Sequence, residues 1–175
     1  QRNVNCNFKK KLDMKKYFLC IIIALSQFAF SQNEDEKYER IFPKINSLVI
    51  DSEDIISKEE EITLEKLLHQ IHTKTGHKIF VIIRNLIEPW EDPDLYSLAL
   101  AKHINDDLKL NSSILIYVNN GLRKIRIQNI DEITEKLTDT ETKEIIDSVI
   151  IPEFKNGKYY NGLYKGIEKI SKELE

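Results

Sequence analysis

The sequence predicts an α/β fold: a three-layer sandwich whose small, mostly parallel central sheet has about four strands, in the order β-α-β-α-β-β-α-α, with helices on both faces. Two observations predict it. Short apolar runs alternate with amphipathic helical stretches, the pattern of parallel strands joined by helical crossovers. And residues 111–130, NSSILIYVNNGLRKIRIQNI, read as a central strand, a tight turn and a return strand. Residues 113–118 are unbroken apolar and aromatic, as in a strand buried on both faces. Asn120-Gly121 is a hairpin signal, because a two-residue turn needs positive φ at both positions. Residues 123–128 then alternate. Ile125 and Ile127 point one way, and Lys124, Arg126 and Gln128 point the other, onto a solvated edge.

The remaining elements follow in order. Residues 47–50 are a short apolar strand ending in Asp51. Ser57 and Glu60 fit a capping box. Leu64, Leu67, Leu68 and Ile71 then recur at helical spacing, and Gly76 is placed to end that helix. Residues 78–83, KIFVII, are a second buried strand. Asp92-Pro93 opens the next helix, with Asp92 as N-cap and Leu95, Leu98, Ala99 and Ile104 facing its core. After the hairpin, Thr138 and Glu141 form another capping box, and Ile145, Ile146, Val149 and Ile150 make an apolar face. Pro152 is expected to stop that helix. Tyr160, Leu163, Tyr164, Ile167 and Ile170 mark a last amphipathic helix. Parallel pairs are expected to be joined by right-handed crossovers.

The first residues read as processing signals. Met14 is the single methionine, so residues 1–13 are expected to precede the natural start. Lys15 and Lys16 precede a charge-free, largely apolar run at 17–30, and Ala29 and Ser31 occupy the −3 and −1 positions of a cleavage site. A permanent membrane helix needs about 20 apolar residues, more than this run offers, so cleavage is expected, with an uncleaved anchor as the alternative and then the one membrane contact. A signal peptide at 14–31, a polar tether at 32–46 and a domain at 47–175 are the expected organisation, with an exported, periplasmic or cell-envelope location. Cleavage after Ser31 would remove both cysteines, Cys6 and Cys20, which suits an oxidising compartment. The whole chain carries −3. Residues 1–31 hold six cations against one carboxylate, so the remainder is at −8. An acidic domain argues against nucleic acid as a partner.

The candidate site is the acidic loop after the first strand. Ligands of open α/β sheets bind beyond the carboxyl ends of the strands. Asp51 stands at such an end, with Glu53 and Asp54 beside it and Glu88, Glu91 and Asp92 in the next exit loop. Hard cations want several oxygen ligands, so Asp51, Glu53 and Asp54 are the expected ligands of a Ca²⁺ or Mg²⁺ ion. Asp54 and Asp92 also suit capping and turn roles. His69 and His72 have a spacing that zinc sites use, but no third ligand of matching geometry is evident. The sequence holds no G-x-S-x-G elbow, no phosphate-cradling Gly-rich loop and no H-E-x-x-H. Arg84, Arg123, Lys124 and Arg126 supply cations, but on different elements.

Several stretches together resemble the TPM domain, a family of bacterial envelope proteins and of a thylakoid lumen protein of photosystem II repair. The resemblance rests on LVIDSEDIIS at 48–57, TGHKIFVIIRNL at 75–86, SILIYVNNGLRKIRI at 113–127, LTD at 137–139 and IIPEFKNGKYYNGLYKGIEKI at 150–170. It implies a Rossmann-like α/β sandwich in an extracytoplasmic, often membrane-tethered protein. Some members are described as weak acid phosphatases, some bind divalent cations through carboxylates, and others are accessory proteins of membrane complexes. Asp51 matches the family's aspartate after the first strand. The sequence departs from the pattern where chemistry would sit. Leu122 precedes Arg123 in place of an Asp, residues 128–132 replace a Gly-rich segment containing Glu, and Ser112 or Ser113 replaces a Gly. The resulting expectation is a monomeric binding or accessory module for a membrane or envelope protein, with a weak cation-dependent phosphatase as the alternative.

Overall fold

The structure, a computed structural model, describes residues 41–175. The expected upstream segment, signal peptide and first part of the tether lie outside the described residues. The chain divides into two units, Gln1–Lys44 and Ile45–Glu175. The second holds the sheet and the helices that cover it.

Four strands form one sheet in the order β1-β2-β3-β4: β1 at Val49–Asp51, β2 at Lys78–Ile83, β3 at Ser112–Asn119 and β4 at Lys124–Asp131. The first three are parallel and β4 returns antiparallel. Helix α1 spans Lys58–Thr75 and α2 spans Pro93–Leu108. After a 3₁₀ turn at Glu132–Glu135 come α3 at Asp139–Ile145, a wide π turn at Ile146–Ile150, α4 at Ile151–Lys155 and α5 at Tyr159–Leu174. The structure shows the expected α/β sandwich, and the expected element order holds with α3, the π turn and α4 taken as one helical segment.

Register partners share a face of a sheet. Ile79, Val81 and Ile83 therefore lie beside Ile114, Ile116 and Val118, and these beside Ile127 and Ile125. Helix α1 covers this face at β1 and β2 and the π turn reaches it at β4, with α5 packed against both. Phe80, Ile82, Leu115 and Tyr117 form the opposite face, which α2 covers. Its Tyr96 ring lies 5.4 Å from that of Tyr117. Both strands at the centre, β2 and β3, are buried on both sides.

Local chemistry accounts for the ends. Ser57 and Thr138 each form a reciprocal capping box with Glu60 and Glu141. Asp92 caps α2 by accepting from the Asp94 N–H, with Pro93 in the first turn. Gly76 closes α1 at φ +78°.

Five details differ from the sequence reading. Strands β1, β2 and β3 succeed one another across the sheet while α1 and α2 lie on opposite faces. The two crossovers must then have opposite hands, and one departs from the right-handed rule. Helix α2 buries Tyr96, Ser97, Leu100, Ala101, Ile104 and Asn105, and leaves Leu95 and Leu98 exposed. Ser97 and Asn105 can be inside because Gln128 and Ser113 satisfy them. That packing also covers the second face of β4, where the Arg126 guanidinium pairs with Asp94 of α2. The expected solvated edge is therefore a helix contact. The hairpin turn is wider than Asn-Gly implies. It runs over residues 120–123, and the left-handed residue is Arg123, at φ +53°. Finally, Pro152 does not stop the helix. The Ile151 N–H bonds back to the Ile146 carbonyl, and the wide turn lets the helical path continue past a residue that has no N–H to donate.

Candidate functional site

The exits of β1, β2 and β3 meet at the carboxyl end of the parallel strands, where the acidic loop was expected to act. Asp51 is at the end of β1, but its oxygens face the loop's own backbone. Oδ1 accepts from the Glu53 N–H at 3.0 Å and Oδ2 from the Ile56 N–H at 2.9 Å. Glu53 reaches across to the next exit loop. Its two oxygens accept from the Asn85 backbone N–H and the Asn85 side-chain amide, at 2.8 and 2.6 Å. Asp54 is exposed and adopts φ +51°, shaping the turn into α1. The structure places the three expected ligands in one loop and gives two of them hydrogen-bonding work there. Among the described residues no group of three or more His, Cys, Asp or Glu side chains is placed to hold a metal ion, the histidines included.

The network continues into the hairpin. Asn85 Oδ1 accepts from the Gly121 N–H at 2.8 Å. A Cβ on Gly121 would stand 3.3 Å from that oxygen, so close approach rather than φ selects glycine here. Buried Asn119 donates to the Asn85 carbonyl at 3.0 Å and to the Tyr117 hydroxyl at 3.2 Å, and accepts from the Leu122 N–H at 2.8 Å. Tyr117 donates to the Arg84 carbonyl at 2.9 Å. Three loops are thus pinned by Glu53, Asn85 and Asn119. Burial raises the Tyr117 phenol above its usual pKa and pushes that of Tyr96 up to about 12, so both are neutral at any physiological pH. Trp90 packs edge-on against Tyr96, with ring centres 5.6 Å apart, and holds its loop to α2.

The open space lies beside this network, on the face covered by α1 and the π turn. A cleft of about 700 Å³ is bounded by the end of β3, the hairpin turn, the start of β4 and the connection from α4 to α5. Val118, Ile125, Ile151 and Phe154 give it an apolar floor, and Arg123 and Lys155 bring cations to its edge, while Lys124 also lines it with its side chain alternating towards the face of Arg126. None of the three forms an ion pair with a described residue. Arg123 holds its left-handed backbone at this edge. Tyr159 ties the two walls, donating to Asn120 at 2.7 Å while its ring lies 4.8 Å from Phe154. Helix α5 begins here, and its N-cap Lys158 makes no side-chain cap. The positive end of the helix therefore adds to the cationic character.

Sequence reasoning missed this cleft. Arg123 was visible as a cation, but its place on one cleft with Lys155 depends on how α4 and α5 fold back onto the sheet. The one local signal was Asn156-Gly157, the turn that brings Tyr159 against the hairpin.

Similarity to known proteins agrees with this architecture. Ten chains among the solved structures match. The N-terminal domain of a protein from P. gingivalis aligns with a TM-score of 0.65 at 23% identity, covering 75% of this chain and 84% of that one. Protein BA42 from the psychrophilic bacterium Bizionia argentinensis aligns with a TM-score of 0.60 at 23% identity, covering 71% and 84%. The N-terminal domain of cg2496 from Corynebacterium glutamicum aligns at 0.57 and 12% identity, covering 76% and 83%. These likenesses are of fold. No curated protein matches. The family profile described as the TPM domain matches residues 49–173, from the first residue of β1 almost to the end of α5. The chain belongs to the TPM domain family.

Proposed function

We propose that this protein is an exported, envelope-side TPM-domain module that binds a membrane or envelope protein rather than turning over a substrate. The observation that carries the reading is the use of polar groups at the carboxyl end of the sheet. Asp51 and Glu53 spend both oxygens on backbone and amide donors, and Asn85 and Asn119 hold the neighbouring loops. Phosphoryl transfer needs positioned cations together with an activated water or nucleophile. Here the cations stand on the cleft side, and the carboxylates are tied into the loops. A rigid rim beside an open cleft suits recognition.

The test is hydrolysis of an aryl phosphate by the purified full chain with Mg²⁺ or Ca²⁺. Turnover at the buffer background is the expected result. Turnover well above background that disappears in both Asp51→Ala and Arg123→Ala would establish the phosphatase alternative in its place.

A further inference from the structure

Resting on the binding-module reading, we infer that the cleft between the hairpin turn and the α4–α5 connection takes an acidic peptide segment of a partner protein that also carries aromatic or aliphatic side chains. Two features of the cleft specify that ligand. Its floor is apolar, with Val118, Ile125, Ile151 and Phe154, and asks for hydrophobic side chains. Its rim holds Arg123 and Lys155, neither ion-paired to a described residue, and lies beside the uncapped start of α5. These ask for carboxylates.

The rest of the molecule makes this patch distinctive. Residues 32–175 carry a net −8, which disfavours acidic ligands in general, whereas Arg123 and Lys155 favour them at this cleft. A free phosphate fits less well. The cations stand at the ends of flexible side chains, and an apolar floor offers a phosphate oxygen nothing to bond. An extended peptide uses both features, placing alternate side chains on the floor and at the rim. The Tyr159–Asn120 hydrogen bond fixes the width of the cleft, because it joins the walls directly.

The experiment uses the full chain and a fluorescein-labelled peptide of repeating Glu-Phe-Glu-Leu, read by anisotropy and by amide chemical shifts. Saturable binding that weakens with added salt is expected, with shifts concentrated at residues 120–125 and 151–159. The double variant Arg123→Glu with Lys155→Glu is expected to weaken binding about tenfold or more. The double variant Lys66→Glu with Lys102→Glu changes net charge equally outside the cleft and is expected to leave binding within about twofold. Both variants alter exposed side chains, and their thermal transitions confirm that they fold. Absence of peptide binding, equal losses in the two double variants, or shifts elsewhere would overturn the inference. So would inorganic phosphate alone that reproduces the shifts and displaces the peptide, since the cleft would then be an anion site. None of these outcomes bears on aryl phosphate turnover, so this inference and the binding-module reading fail separately.

Discussion

Asp51 shows how a residue legible in the sequence can serve a different end in the fold. Its position at the exit of β1 was readable, but its bonds to the Glu53 and Ile56 N–H groups were not, because they depend on how the loop closes. Asp51→Ala removes the acceptor of two partly buried N–H groups and is expected to cost about 2 kcal/mol. A urea titration should show that loss equally with and without a chelator. A loss seen only with Ca²⁺ present would return the residue to metal binding. Tyr96 provides a second test at this scale. Its folded pKa is raised by burial from an ordinary value near 10 to about 12. The folded state therefore holds the proton more tightly, and the stability this contributes is fully present below about pH 10 and lost as pH rises towards 12. The melting temperature should fall over that range, and Tyr96→Phe should make the fall shallower.

Among the elements, α5 is the one whose packing decides most. Gly162 and Gly166 face α4 and the π turn. A Cβ at Gly162 would stand 2.8 Å from the Phe154 ring and 3.1 Å from the Ile150 carbonyl, and one at Gly166 would stand 2.7 Å from the end of Ile150. Alanine gains about 1 kcal/mol of helix propensity over glycine. Overpacking costs about 1–3 kcal/mol, and at Gly162 a backbone oxygen cannot step aside. Gly162→Ala is thus expected to be destabilising by about 1 kcal/mol in a denaturant titration, with Phe154 displaced into the cleft. A more stable Gly162→Ala would show that the helix moves freely away from the π turn. The capping boxes, by contrast, were legible in the sequence, since a cap involves residues three apart. Ser57→Ala should cost about 1 kcal/mol of stability and leave peptide binding unchanged, as α1 begins outside the cleft. The face of α2 was misread because its buried side includes Ser97 and Asn105, which hydrophobicity does not mark.

For the whole molecule, residues 45–175 bury one continuous core around β2 and β3, and no helix among the described residues is long and apolar enough to cross a membrane. That fragment is expected to unfold in a single cooperative thermal transition, without reductant and unchanged by a chelator, as measured by circular dichroism. Separate transitions, or a fragment unfolded without metal, would contradict a self-sufficient core. The sequence by itself determined the element order, the sheet's central strands and the helix starts. It did so because periodicity, caps and unbroken apolar runs act over a few neighbouring residues. Family membership was legible for the same reason, in contiguous motifs spread over the domain. Only the tertiary structure decided which polar groups remain available. Asp51 and Glu53 became loop ties when β1 and β2 brought their exits together. Arg126 was covered when α2 packed across β4. Arg123 and Lys155 came to line one cleft when the π turn carried the chain past Pro152 and the α4–α5 connection met the hairpin. Each of these outcomes depends on contacts between residues far apart in the chain, and no local pattern records them.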